Sequence, residues 1–211
     1  RTEERAAEYI AENQAQVPHH PVPRPIAGYH EMIAAEDIDA LYIPLPTGLR
    51  KEYVLAAAAA GKHVLCEKPC GVDADSVREL IDACESAGVQ FMDGVMFMHS
   101  DRLPALRKEL DSGEAVGDLK RIASQFSFMA PPEFFEDNIR MNSGLEPLGS
   151  LGDLGWYCIR MTLWTMRYSM PTSVRARMIR ESGGVPISLS AEMEFEGGVT
   201  ASFYCSFETE H

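Results

Sequence analysis

The feature that most constrains this chain is the run His63-Val64-Leu65-Cys66, which passes without a spacer into Glu67-Lys68-Pro69. Four mostly apolar residues bounded by Gly61 and Pro69 predict a buried strand, and Gly61 is the left-handed stop of the helix before it. That helix starts near Leu49 and runs through KEYVLAAAAA, a string of strong helix formers. A preceding strand, Asp37 to Pro44, stops at Pro44 and Pro46. After the Glu-Lys-Pro junction, Asp73 is placed to N-cap the helix DSVRELIDACESAG, in which Val77, Leu80, Ile81 and Cys84 share a face. Val89 to Met98 reads as one more strand. Three β-α repeats with short connections imply right-handed crossovers and an open, doubly wound parallel sheet. In such sheets the carboxyl ends of the strands are where ligands bind, and Glu67-Lys68 stands at one of them.

The pattern changes after a helix near Leu103–Leu110. In ISLSAEMEF, Ile187, Leu189, Ala191, Met193 and Phe195 alternate with polar residues, and in VTASFYCSF so do Val199, Ala201, Phe203, Cys205 and Phe207. Period-two alternation predicts antiparallel strands with one buried face, joined here by the turn Glu196-Gly197-Gly198. Ser173 to Ile179 alternates likewise and adds a strand. The second half is therefore expected to be α+β, with an open antiparallel sheet. A helical segment 2–13, ended by the Pro-rich stretch 17–25, precedes the first strand.

With 211 residues and 45% hydrophobic content, the chain can bury one large core or two small ones. A net charge of -13 and a pI near 4.9 repel nucleic acid and anionic lipid, and no run of Lys and Arg makes a local exception. No stretch approaches the roughly 20 apolar residues of a membrane span, and RTEERAAEYIAEN is a charged helical pattern. The five cysteines, an odd number without CxxC spacing, predict reduced thiols and a cytoplasmic protein. His19-His20 lies in a Pro-rich surface loop without further ligands, so no metal site is expected.

Two constellations carry chemistry. Glu67-Lys68-Pro69 offers a lysine to a ligand, although an exposed ion pair at a strand end accounts for the three residues equally well. In GSLGDLGWYCIR, Asp153 and Tyr157 fall on one face of a helix, with Arg160 a turn further on. Packing aromatics are the competing reading there.

The stretch PLPTGLRKEYVLAAAAAGKHVLCEKP, followed by a helix, resembles the second half of the nucleotide-binding domain of the Gfo/Idh/MocA oxidoreductases. The resemblance implies a partial Rossmann-type domain over 1–98 and a partial substrate and dimerisation domain over 99–211. It implies hydride transfer between NADP or NAD and a CH–OH group of a sugar, polyol or diol. Glu67, Lys68 and Pro69 would form the cofactor-side active site, with Lys68 reaching the nicotinamide ribose and the substrate hydroxyl, and with a cis Lys68–Pro69 bond. Asp153 and Tyr157 resemble the second-domain motif, in its tyrosine version associated with glucose-fructose oxidoreductase and with dihydrodiol and D-xylose dehydrogenases. Tyr157 would then be the acid-base group and Asp153 would orient the substrate.

Pro44, Pro46 and Thr47 resemble the loop under the nicotinamide, with Arg50 where a histidine is common. Arg1-Thr2 resembles the end of the second strand, where a basic residue meets a 2'-phosphate, so NADP is preferred over NAD. His99 and Arg102 resemble the crossing into the second domain, and Asn138, Arg140 and His99 are candidates for substrate hydroxyls. The G-x-G-x-x-G turn that seats the pyrophosphate is absent, so the chain is expected to be an inactive piece of a longer enzyme. The family's sheet further implies a homo-oligomer, which the apolar Phe203 and Phe207 would help to form. A family member acting only as a binding or assembly module is the rival reading.

Overall fold

The computed structural model describes residues 2–210. Helices α1 (Glu3–Gln16) and α2 (Tyr29–Ala34) precede strand β1 (Ala40–Ile43), helix α3 (Thr47–Ala59), strand β2 (His63–Cys66), helix α4 (Ala74–Ser86) and strand β3 (Phe91–Asp93). The three strands are parallel in the order β1-β2-β3, with Ile43 level with Cys66 and Cys66 level with Asp93. Their carboxyl ends therefore lie side by side, which puts Pro44, Glu67 and Gly94 along one rim. Leu41, Ile43, Val64 and Cys66 point into a core shared with Val54, Ala57, Leu80 and Cys84 of α3 and α4. Each buried aliphatic side chain there stabilises the fold by roughly 1.5–3 kcal/mol. On the opposite face Tyr42, Leu65 and Met92 are exposed, so among the described residues α3 and α4 cover one side of the sheet.

Asp73 caps α4 as expected: its carboxylate accepts from the Ser76 amide at 2.7 Å, and the Ser76 hydroxyl closes the reciprocal bond. The apolar run 89–98 is not a single strand. Only Phe91–Asp93 pairs; Val95 then turns inward to a site where it is 1% exposed, and Met96–His99 forms a 3-10 turn. Burial of Val95 outweighs continued extension.

The C-terminal half contains α5 (Arg102–Ser112), β4 (Arg121–Ser127), α6 (Pro132–Asp137), a π-helical turn (Leu151–Gly155), α7 (Trp156–Thr165), β5 (Ser173–Ser182), β6 (Val185–Glu194) and β7 (Thr200–Ser206). Its sheet runs β4-β7-β6-β5. The β5-β6 and β6-β7 pairs are antiparallel, as the alternation predicts, but β4 joins β7 in parallel, so the sheet is mixed. Gly197 and Gly198, both at positive φ, make the turn between β6 and β7.

The alternating apolar residues of β6 and β7 pack against Leu154 and Cys158 of the π turn and α7. Phe203 and Phe207 are 5% and 0% exposed and belong to this core. The expectation that they await a partner is corrected: the chain itself covers them, and the open face carries Ser190, Glu192, Glu194 and Ser202. All five cysteines are free and buried, and no described helix is long and apolar enough to cross a membrane.

Candidate active site

The Lys68-Pro69 bond at the end of β2 is cis, as expected, and the Lys68 side chain reaches across to the second core. Its Nζ donates to Asp153 Oδ1 at 3.0 Å and to the Asp153 carbonyl at 2.8 Å, and it lies 4.6 Å from the centroid of the Tyr157 ring. Asp153 also accepts from Arg140 Nε through Oδ2 at 2.6 Å. One carboxylate thus holds two cations, and the three residues meet from β2, from the loop after α6 and from the π turn. Lys68 and Asp153 are 13% and 20% exposed at their side chains, against 42% for Arg140.

The π turn brings Asp153 this close. A β-carbon on Gly155 would stand 3.1 Å from Cys205 Sγ, and one on Gly152 would stand 3.3 Å from Pro69 Cγ. The two glycines therefore let the turn lie on β7 with one side and on Pro69 with the other. Wide π turns recur at functional sites because they shift side chains off the regular helical register. Asp153 and Tyr157 both converge on Lys68 across this irregularity, whereas Arg160 departs to Asp93 Oδ2 at 3.3 Å.

These groups border a cavity of about 260 Å³ lined by Pro44, Leu45, Pro46, Arg50, Glu67, Lys68, Pro69, Ile139, Arg140, Glu146, Gly149 and Asp153. The sequence singles out eight of the twelve. Tyr157 is not among them; its ring packs against Phe97 and Phe126, and its hydroxyl faces Met96 Sδ at 3.9 Å. Thr47 is buried at the N-terminus of α3, where Glu146 accepts from its amide at 3.1 Å and from its hydroxyl at 2.6 Å. Arg50 lines the cavity, with two of its nitrogens engaged: Nε bonds the Leu45 carbonyl at 2.6 Å, and one terminal nitrogen bonds Thr47 Oγ1 and the Pro69 carbonyl.

Glu67 accepts from the Tyr42 hydroxyl at 2.7 Å and from the Lys68 amide at 3.1 Å. That bond, with partial burial, raises the Tyr42 phenol above its ordinary range. His99 is exposed at the end of the 3-10 turn and does not line the cavity. Asn138 accepts from the Arg140 amide at 3.0 Å and so shapes the loop that presents Arg140. Thr2 caps α1 by accepting from the Arg5 amide, and Arg1 lies outside the described residues. Leu45, Ile139, Glu146 and Gly149 are the cavity residues that sequence reasoning missed; for Glu146 the partner Thr47 is 99 positions away, and no local spacing announces such a contact.

Residues 1–95 match the model of an oxidoreductase family with an NAD-binding Rossmann fold, and residues 104–211 match the GFO/IDH/MocA C-terminal domain. The chain belongs to the Gfo/Idh/MocA oxidoreductase family. Within it, the chain is 36% identical over 191 residues to a D-xylose 1-dehydrogenase (NADP(+)) of Haloferax volcanii, covering 89% of this chain and 56% of that protein. It is 30% identical over 191 residues to trans-1,2-dihydrobenzene-1,2-diol dehydrogenase of Bos taurus, covering 90% and 55%. Among solved structures, it superposes on a 3-ketoreductase from Actinomadura kijaniata in complex with NADP and TDP-benzene, with a TM-score of 0.84 and 26% identity over 100% of this chain and 61% of that one. The chain therefore spans little more than half the length of these family members.

Proposed function

We propose that the protein containing this chain transfers hydride between NADP and a CH–OH group of a sugar, polyol or diol. The observation that carries this reading is the placement of the Lys68 ammonium, between Asp153 and the Tyr157 ring, on the wall of a cavity at the carboxyl end of a parallel sheet. The cavity suits the cofactor's reactive end, because Pro44, Leu45 and Pro46 form an apolar wall for a flat ring while Lys68 and Arg140 carry hydrogen-bond donors. The chemistry that a bound nicotinamide supplies is the acceptance or release of hydride.

The residues of this chain would handle the rest. Lys68 places positive charge where negative charge builds on the substrate oxygen, and its two bonds to Asp153 hold it there in advance. Tyr157 would take the hydroxyl proton, and Asp153 with Arg140 would orient the substrate. Glu67, Pro69, Thr47 and Arg50 would shape the cofactor's seat, with Arg1 and Thr2 near its 2'-phosphate. His99 would contact substrate from the junction at 98/99, where we divide the two domains. The xylose and dihydrodiol dehydrogenases among the relatives support substrates with adjacent hydroxyls, and the NADP named for the first supports NADP over NAD.

We further propose a cytoplasmic homo-oligomer joined through the open face of the second sheet, which light scattering of the full-length protein would test. Fluorescence titration of NADPH and NADH into the full-length gene product tests the main reading, followed by assays on D-xylose and trans-diols. Saturable NADPH binding with turnover is expected. A folded protein that binds neither nucleotide would refute it and favour a binding or assembly module.

A further inference from the structure

We infer that Glu146 is a positioning residue, a latch that reaches from the C-terminal half to the base of α3 and thereby fixes the Lys68-Pro69 loop. The inference deepens the oxidoreductase reading and rests on it only for its kinetic consequence.

Helix α3 begins at Thr47 after Pro46, which has no side chain able to cap it. The first amides of a helix need acceptors, and a carboxylate there also meets the positive end of the helix dipole. Those acceptors come from far along the chain. Glu146 takes the Thr47 amide at 3.1 Å, and the Leu145 carbonyl takes the Gly48 amide at 2.8 Å. Gly48 is needed for this approach, because a β-carbon there would run into the Gly144 carbonyl. The approaching loop is itself braced: Asn142 Oδ1 accepts from the Gly144 and Leu145 amides at 3.0 and 3.2 Å.

The contact continues inward. The Thr47 hydroxyl donates to Glu146 at 2.6 Å and accepts from Arg50 at 3.3 Å, and the same Arg50 nitrogen bonds the Pro69 carbonyl. Seven residues after Glu146, Asp153 holds the Lys68 ammonium, and Gly152 between them lies against the Pro69 ring. One segment thus grips the loop twice, through its carbonyl by way of Thr47 and Arg50, and through its lysine by way of Asp153. Without Glu146 the Thr47 hydroxyl becomes free to rotate, and the first grip loses one of its two anchors, because Arg50 then relies on its Nε bond to the Leu45 carbonyl alone to hold it against Pro69.

The test uses Glu146→Ala, Thr47→Val and the double variant in the full-length protein, with Glu146→Gln as a milder change that keeps an acceptor for the Thr47 amide. Amide hydrogen exchange is read for residues 66–70, and kcat and the NADPH dissociation constant are measured beside it. Small misplacements of reacting groups cost on the order of 10- to 100-fold in rate, so kcat should fall by about that factor, and by more than NADPH affinity, which can also weaken because Thr47 and Glu146 border the cofactor's seat. Exchange at 66–70 should accelerate in both single variants, the double should be no worse than either, and Gln should fall between Ala and the parent. Faster exchange confined to 47–50 and 142–149, with kcat unchanged, would overturn the inference and leave Glu146 as a staple between the two halves. Faster exchange at 66–70 in a protein whose parent form turns over no sugar or diol would sustain the latch and sink the oxidoreductase reading instead.

Discussion

Replacing Asp153 with asparagine removes the one charge on which two cations depend, and its cost can be compared with that of removing either cation. At the observed 3.0 Å, the attraction between Lys68 and Asp153 is about 1.4 kcal/mol in the dielectric of water and about 5.5 kcal/mol at an effective dielectric of 20. Side-chain exposures of 13% and 20% place the pair nearer the second regime, with desolvation offsetting part of the gain. Breaking such a pair by removing one partner costs about 3–5 kcal/mol when the other charge is left without compensation. Lys68 keeps the Asp153 carbonyl at 2.8 Å, so the lower end, about 3 kcal/mol, applies to Asp153→Asn.

Lys68→Met leaves Asp153 paired with Arg140 and should cost less, about 1–2 kcal/mol. Arg140→Ala removes a 42% exposed partner and should cost at most about 1 kcal/mol. In domains of this size 1 kcal/mol moves the melting temperature by about 2–4 °C, so Asp153→Asn should lower it by about 6–12 °C. Scanning calorimetry of the three variants in one buffer gives the order. A Lys68→Met protein that melts as low as Asp153→Asn, or an Asp153→Asn protein that melts with the parent, would refute a shared central carboxylate.

Tyr157→Phe removes a hydroxyl whose described contact is Met96 Sδ at 3.9 Å, so the melting temperature should hold while kcat falls by about 10²–10⁴-fold if Tyr157 moves the proton. Phe203→Ala opens the core under the π turn and should destabilise by about 3–5 kcal/mol in urea unfolding. Burial pushes the Cys205 thiol up to about 11 and also raises Cys158, so iodoacetamide at pH 8 should label these two only as the protein unfolds, as mass spectrometry of timed samples would show. The folded Tyr42 phenol sits above its unfolded value because of Glu67, so its bond stabilises fully below the unfolded value and is lost as pH rises through the folded one. Tyr42→Phe should accordingly flatten the decline in stability on the alkaline side, read from melting temperatures between pH 8 and 11.

Local signals made the first half of the fold legible. Gly61 ends α3, Asp73 starts α4, and the apolar runs between them are too short for anything but strands. The same reasoning overextended the strand at 89–98, because an apolar run does not show where a side chain turns inward, and Val95 does so after Asp93. In the second half, alternation identified β5, β6 and β7 and the buried faces of β6 and β7, but not of β5, whose alternating Val174 and Met178 stay exposed because nothing among the described residues covers them on that edge strand. It was silent about the neighbour of β7, since Arg121 lies level with Thr200 across a separation that no periodicity encodes. The burial of Phe203 and Phe207 was legible, but what covers them was not, because the cover is the π turn, Phe128 just after β4 and Phe134 of α6.

The same division explains the site. Lys68, Asp153 and Tyr157 could be named because the residues around them resemble two family motifs whose offsets are properties of neighbouring positions; the offsets alone left an exposed ion pair and packing aromatics open. Their convergence depends on Gly152 and Gly155, which thin the π turn until it touches Pro69 on one side and Cys205 on the other. Glu146 has no such local mark, yet it lies on the same segment as Asp153. Because one stretch of chain holds both the lysine and, through Thr47 and Arg50, the backbone next to it, a shift of that stretch moves the ammonium and its loop together. A mutation in the 142–149 loop should therefore act on Lys68 without touching it, and its effect should be larger on the rate, through lost orientation, than on cofactor affinity.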